Sequence, residues 1–203
     1  MIHSQARETG AIQLPHIEGE YSMLPFNLKT LVGLTGSFRD VVSKMIQHLS
    51  VREGTAFLTV HGKQLAPNQT LRRGGAHTDG NYMNYVPGED FLSFGGGGGW
   101  KLGQKGPYIT TQEHKLSYDN KKGGIILASN YTSCLGYTGR FKGRPTRGGD
   151  CTHMELSKPF NLEAGKVYYG NNHFVHESVP VREKTHRVLF RVTLPITHEY
   201  ESV

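Results

Sequence analysis

The chain has 203 residues, 36% of them hydrophobic and 26 of them glycine, which fits one domain with a modest core, many turns and more β than α structure. A net charge of +6 favours anionic partners. The basic residues are scattered, however, and the nearest approach to a cluster, Arg140, Lys142, Arg144 and Arg147, reads as a solvated loop rather than a nucleic-acid contact. Cys134 and Cys151 stand alone with no C-x-x-C spacing, which argues against a disulfide framework and a structural zinc site.

Met1–Gly10 is polar and lacks the apolar stretch of a signal peptide, and no run approaches the length of a membrane span, so the expectation is a soluble cytoplasmic protein with no membrane partner. No repeat or linker divides the chain. It reads as a single domain, 1–203, with helical and irregular support over 1–54 and a β core over 55–195. Ser37 is placed to cap a helix running through Leu49. Phe38, Val41, Val42, Met45, Ile46 and Leu49 recur at i, i+3, i+4 spacing, a stripe suited to supporting a sheet.

From Thr55 onward short β-like runs alternate with Gly, Asn and Pro. The runs are Thr55–His61, Tyr108–Thr111, Gly124–Ala128, Cys134–Phe141, His153–Leu156, Lys166–Tyr169, His176–Val181 and His186–Leu194. Many short strands joined by turns predict a sandwich or jelly roll. The tract Gly95–Gly99 lacks the Lys-Ser/Thr pair of a phosphate-binding loop; it reads either as a plain flexible loop or as a lid over substrate.

The polar residues that carry chemistry are divided along the chain. His77 and Asp79 stand at i and i+2, so on an extended strand both project to one face and can chelate one ion, with Gly74, Gly75 and Gly80 around them. His176 opens a predicted strand and is preferred as third ligand to His173, which falls in an Asn-Asn-His turn. Two imidazoles and a carboxylate suit an octahedral Fe(II) with three open positions, and also other divalent ions. Arg187 begins the next apolar run; a guanidinium there needs an anion, and a carboxylate matches its planar fork. Arg191 has the same strand parity and could share or replace that role.

These residues resemble the Fe(II)/2-oxoglutarate-dependent dioxygenases. The H-x-D, the distal His followed by x-x-x-Pro-Val, and an Arg at the start of the next apolar strand carry the resemblance, and Gly165–Val181 is closest in layout to the prolyl-4-hydroxylase-like branch. Gly123-Gly124-Ile-Ile-Leu is similar to the glycine pair and apolar strand that precede the central turn of that family. Many prolyl hydroxylases carry Lys where Arg187 stands, and the repair demethylases carry a second Arg six residues on, where this chain has Thr193; the match is to the superfamily.

The resemblance implies a mainly β, double-stranded β-helix fold of jelly-roll or cupin type with a supporting N-terminal helix. It implies iron held by His77, Asp79 and His176, and Arg187 on the distal carboxylate of 2-oxoglutarate. With O2 as co-reactant, the implied reaction hydroxylates a C–H bond of a small molecule or peptidyl side chain and releases succinate and CO2. Alternatives are the same chemistry on nucleic acid, a zinc or manganese enzyme of cupin shape, and a β-helix domain that binds a ligand without turnover. Arg73, on the face of His77 by strand parity, and Tyr82 and Tyr85 are candidate substrate contacts; parity turns Arg72 away. Asn130 and Tyr137 are candidates for touching the cosubstrate. Substrate and oligomeric state are not legible.

Overall fold

The computed structural model describes residues 1–72, 74–79, 83–85, 91–94, 99–101, 122–146, 149–195 and 197–201, the three short segments between 83 and 101 by their backbone only. The protein is mainly β, with one helix among the described residues and two large antiparallel sheets.

In chain order the strands are β1 (Ile2–Ser4), β2 (Ala6–Ala11), β3 (Gly19–Asn27), β4 (Thr55–Leu65), β5 (His77–Thr78), β6 (Met83–Tyr85), β7 (Phe91–Phe94), β8 (Gly99–Lys101), β9 (Ile125–Ser129), β10 (Cys134–Tyr137), β11 (Gly139–Phe141), β12 (Pro159–Asn161), β13 (Lys166–Gly170), β14 (Val175–Ser178) and β15 (Thr185–Thr193). The larger sheet has the order β2-β13-β9-β15-β4-β3, the smaller β12-β10-β14-β5. From β4 the chain steps between them: β4, β9, β13 and β15 lie in the six-stranded sheet, β5, β10 and β14 in the four-stranded one.

Period-2 burial explains why β15 holds the centre. Val188, Phe190 and Val192 point to one side and join the main core, while Arg187, Leu189 and Arg191 point to the other, between the sheets. On the outer side lies α1 (Gly36–Met45), whose Val41, Val42 and Met45 are buried with Ile46 and Leu49 against Leu58, Val60, Ile126 and Phe190. Each such side chain contributes about 1.5–3 kcal/mol by leaving water. The apolar stripe therefore does what its spacing predicts. Its start does not: Thr35 is the N-cap, without a side-chain bond, and Ser37 sits inside the first turn.

The inner faces meet through Ile125, Leu127, Cys134, Leu162, Tyr168, Phe174 and Leu189. Gly136, directly across from His176 on one side and Phe160 on the other, leaves room for the side chains of Phe160 and Leu162, because a Cβ there would stand 2.7 Å from Phe160 Cζ and 2.8 Å from Leu162 Cδ1.

Strands begin well before Thr55. β2 and β3 form the two edges of the larger sheet, and β1 pairs with β11. The run Cys134–Phe141 divides into β10 and β11, which join different sheets, and His153–Leu156 forms no strand. Tyr108–Thr111 and Gly95–Gly98 lie outside the described residues, as does Arg147 of the basic group; Arg140, Lys142 and Arg144 are exposed. No helix among the described residues is long and apolar enough to cross a membrane.

Candidate metal centre

His77 ends the four-stranded sheet on β5, and its Cα partner across the ladder is His176 on β14. Asp79 follows β5 directly. The two rings lie 4.7 Å apart between centroids, and all three side chains are buried. Asp79 Oδ2 stands 3.4 Å from His176 Nε2 and 4.0 Å from His77 Nε2. Donor atoms around an octahedral ion bound at roughly 2.1 Å lie about 3 Å apart, so each histidine needs to close on Asp79 by about an ångström or less.

Each ring is oriented by its other nitrogen. His77 Nδ1–H donates to the Gly75 carbonyl at 2.7 Å, and His176 Nδ1–H donates to the Phe174 carbonyl at 3.2 Å. Both tautomers then present an Nε2 lone pair toward Asp79, the arrangement that metal-binding histidines require of their surroundings. Gly75 adopts φ +86°, a left-handed conformation, as it brings its carbonyl under the ring two residues ahead.

Burial by itself pushes the Asp79 carboxyl up. Arg191 above all overcomes that and holds it well below the usual carboxylate range. Arg191 Nη1 donates to Asp79 Oδ2, and Arg191 Nη2 donates to Thr59 Oγ1 at 3.3 Å. The buried Asp79 Oδ1 has no hydrogen-bond partner among the described residues. An ionised carboxylate with one orphaned oxygen, beside two imidazole lone pairs, fits a divalent cation.

Arg187 lies in the same cavity as the triad and is fully buried. Its Nη1 donates to Ser178 Oγ at 2.8 Å and its Nη2 to Cys134 Sγ at 2.9 Å, while its Nε has no partner among the described residues. Burial pushes the Cys134 thiol up against the pull of Arg187, so both acceptors are neutral. A buried guanidinium that, among the described residues, meets only a hydroxyl and a thiol fits an incoming anion. Arg191, by contrast, is committed to Asp79.

Of the two histidines weighed for third ligand, the structure brings His176 to the pair; His173 is buried but belongs to no metal-ligating group with them. Arg73 and Tyr82 lie outside the described residues, and Tyr85 is described only as backbone in β6. Arg72 corrects the parity reading. It lines the cavity with the triad, and its Nη1 donates to His61 Nε2 at 2.9 Å. Parity fails because the strand starts only at His77, leaving the segment that carries Arg72 irregular.

Asn130 and Tyr137 are likewise placed elsewhere. Asn130 clamps the β15 backbone, donating to the His186 carbonyl at 3.0 Å and accepting from Val188 N at 2.6 Å. Tyr137 packs with Ile2 and Phe141 and donates to Glu177. Sequence reading did not find Ser178, Cys134 and His61; only their strand parity, once the register is known, marks them as inward.

No protein-family model, curated protein or solved structure matches the chain. The chemistry of the centre is therefore read from its own donors.

Proposed function

We propose that the protein is an Fe(II)- and 2-oxoglutarate-dependent dioxygenase on a double-stranded β-helix, hydroxylating a C–H bond of a small molecule or peptidyl side chain. The observation that carries the reading is the pairing, in one cavity, of a buried His77–Asp79–His176 triad with a fully buried Arg187 whose partners among the described residues are neutral. The alternation of strands between two facing sheets supports the fold assignment.

In this reading His77, Asp79 and His176 hold the iron on one side, leaving the opposite side for cosubstrate. Arg187 orients 2-oxoglutarate through its distal carboxylate. When bound, iron and 2-oxoglutarate supply the oxidative chemistry, with O2 consumed and succinate and CO2 released. Arg191 keeps Asp79 ionised and fixed, and the two backbone carbonyls keep both imidazoles in the liganding tautomer. Leu127, Leu162 and Leu189 line the cavity and keep bulk water from it.

The test is succinate release by purified protein given Fe(II), 2-oxoglutarate, ascorbate and a panel of small-molecule and peptide substrates. Succinate above the Asp79→Ala background supports the reading. Tight metal binding with no effect of 2-oxoglutarate would favour a zinc- or manganese-dependent site of the same shape.

A further inference from the structure

We propose that His16, Glu18 and His186 form a second divalent-metal site, on the opposite face of the six-stranded sheet from the triad, suited to a borderline ion of the zinc type. The donor atoms of the three residues lie within 4.8 Å of one another. Glu18 Oε1 stands 3.1 Å from His186 Nε2 and 3.5 Å from His16 Nε2. The two imidazoles stack with centroids 3.9 Å apart and planes inclined by 25°, so the exposed His16 ring must turn out of the stack for both Nε2 lone pairs to meet one ion.

What points to an ion is the absence of hydrogen bonding at this short range. His186 Nε2 is shielded from solvent and has no hydrogen-bond partner among the described residues, although a carboxylate oxygen lies 3.1 Å away. A ring N–H aimed at that oxygen would satisfy both atoms, and it is not so aimed. Two imidazole nitrogens and a carboxylate oxygen converging without hydrogen bonds leave a position that a cation fills. Two nitrogens and one oxygen with water as fourth donor make a tetrahedral zinc-type sphere.

The donors also sit on fixed backbone. His186 opens the long central strand β15, where Asn130 grips its carbonyl at 3.0 Å. His16 and Glu18 flank Ile17, which packs on the main core. The Ile17 carbonyl rests directly on Gly62 of β4: a Cβ at Gly62 would lie 1.8 Å from that oxygen, so only glycine admits the crossing. Little backbone ordering remains to be done when an ion binds, leaving the exposed His16 and Glu18 side chains to be ordered. The site would pin the segment leading into β3 onto β15, one residue from Arg187. His16 and Glu18 are largely exposed, so exchange with solvent is expected to be fast.

The proposal is independent of the triad, and its test keeps the two apart. Tag-free Asp79→Ala protein is titrated with Zn2+ by calorimetry, alone and with His16→Ala, Glu18→Gln or His186→Ala added. We expect one ion per chain with a Kd of roughly 10 μM or tighter, weakened at least about tenfold by each added substitution. Wild-type protein measured in parallel should lose one equivalent of Zn2+ on His16→Ala, whatever the triad binds, which covers the event that Asp79→Ala does not fold. Binding curves unchanged by the three substitutions, or no zinc binding tighter than about 1 mM that depends on them, would overturn the site.

Discussion

Strand β15 carries opposite physics on its two sides. Outward, Val188, Phe190 and Val192 bury apolar surface against α1, with His186 at the rim. Inward, Arg187 and Arg191 are buried cations, Arg187 in a cavity where Leu127, Leu162 and Leu189 stand beside Arg72, Glu163, Lys166 and the triad. The outer face accounts for stability; the inner face is expensive and is held only because each charge has an assigned partner or awaits one. The two histidine–carboxylate sets divide the same way. The inner set is buried and has both Nδ1 atoms fixed by backbone carbonyls, whereas in the outer set His16 and Glu18 are largely exposed and no such bonds are made among the described residues.

The largest effect that would test this contrast is on the inner carboxylate. Asp79→Ala should weaken metal binding by at least about 100-fold and abolish succinate release, since it removes a direct ligand where even supporting residues are worth 10–100-fold. Activity that survives the substitution would break the assignment.

Next is Arg191→Ala, which leaves a buried carboxylate without its cation and should cost about 3–5 kcal/mol in denaturant unfolding of the metal-free protein. Glu18→Gln, at an exposed pair on the outer face, should cost well under about 1 kcal/mol in the same assay. Equal costs would mean that the two faces do not differ as described.

Arg187→Ala should weaken 2-oxoglutarate binding by about 10- to 150-fold, the loss of charge-assisted hydrogen bonds worth about 1.5–3 kcal/mol, while leaving metal affinity nearly unchanged. Cosubstrate affinity that instead falls only in Arg191→Ala would reverse the two arginine roles.

The smallest effect concerns acid. Burial, and then Arg7, push His48 down to about 4; burial, and then Arg72, push His61 down to about 4. Both stay neutral in the fold while the unfolded chain takes up protons near its ordinary imidazole value of about 6.5. Stability is therefore full above that value and falls as the pH drops from about 6.5 toward 4. Both rings are partly solvated, so the loss is on the order of 1 kcal/mol for each. In His48→Gln, unfolding midpoints measured across this range should show a shallower slope; an unchanged slope would remove His48 from the account.

The inner site was largely legible in the sequence. Spacing alone paired His77 with Asp79, and a strand opening selected His176, because liganding depends on local parity and on a β ladder that both segments signal strongly. The same parity misled at Arg72, where an irregular segment replaced the assumed strand. The partner of Arg191 could not be read, since Asp79 is 112 positions away and only the fold brings them together. Edge strands β2 and β3 were missed for a related reason: little of β2 or β3 is buried, so neither shows the apolar alternation that marks an interior strand. The outer histidine set left no trace in spacing, because His16 and His186 come from opposite ends of the chain.

The most direct test of the central claim is calorimetric titration of 2-oxoglutarate into metal-free and Mn(II)-loaded protein, the second ion standing in for Fe(II) without turnover. The account predicts binding that requires the metal, is lost in Asp79→Ala and is sharply weakened in Arg187→Ala. Binding of equal strength with and without metal, or no binding to the loaded wild-type protein, would contradict it.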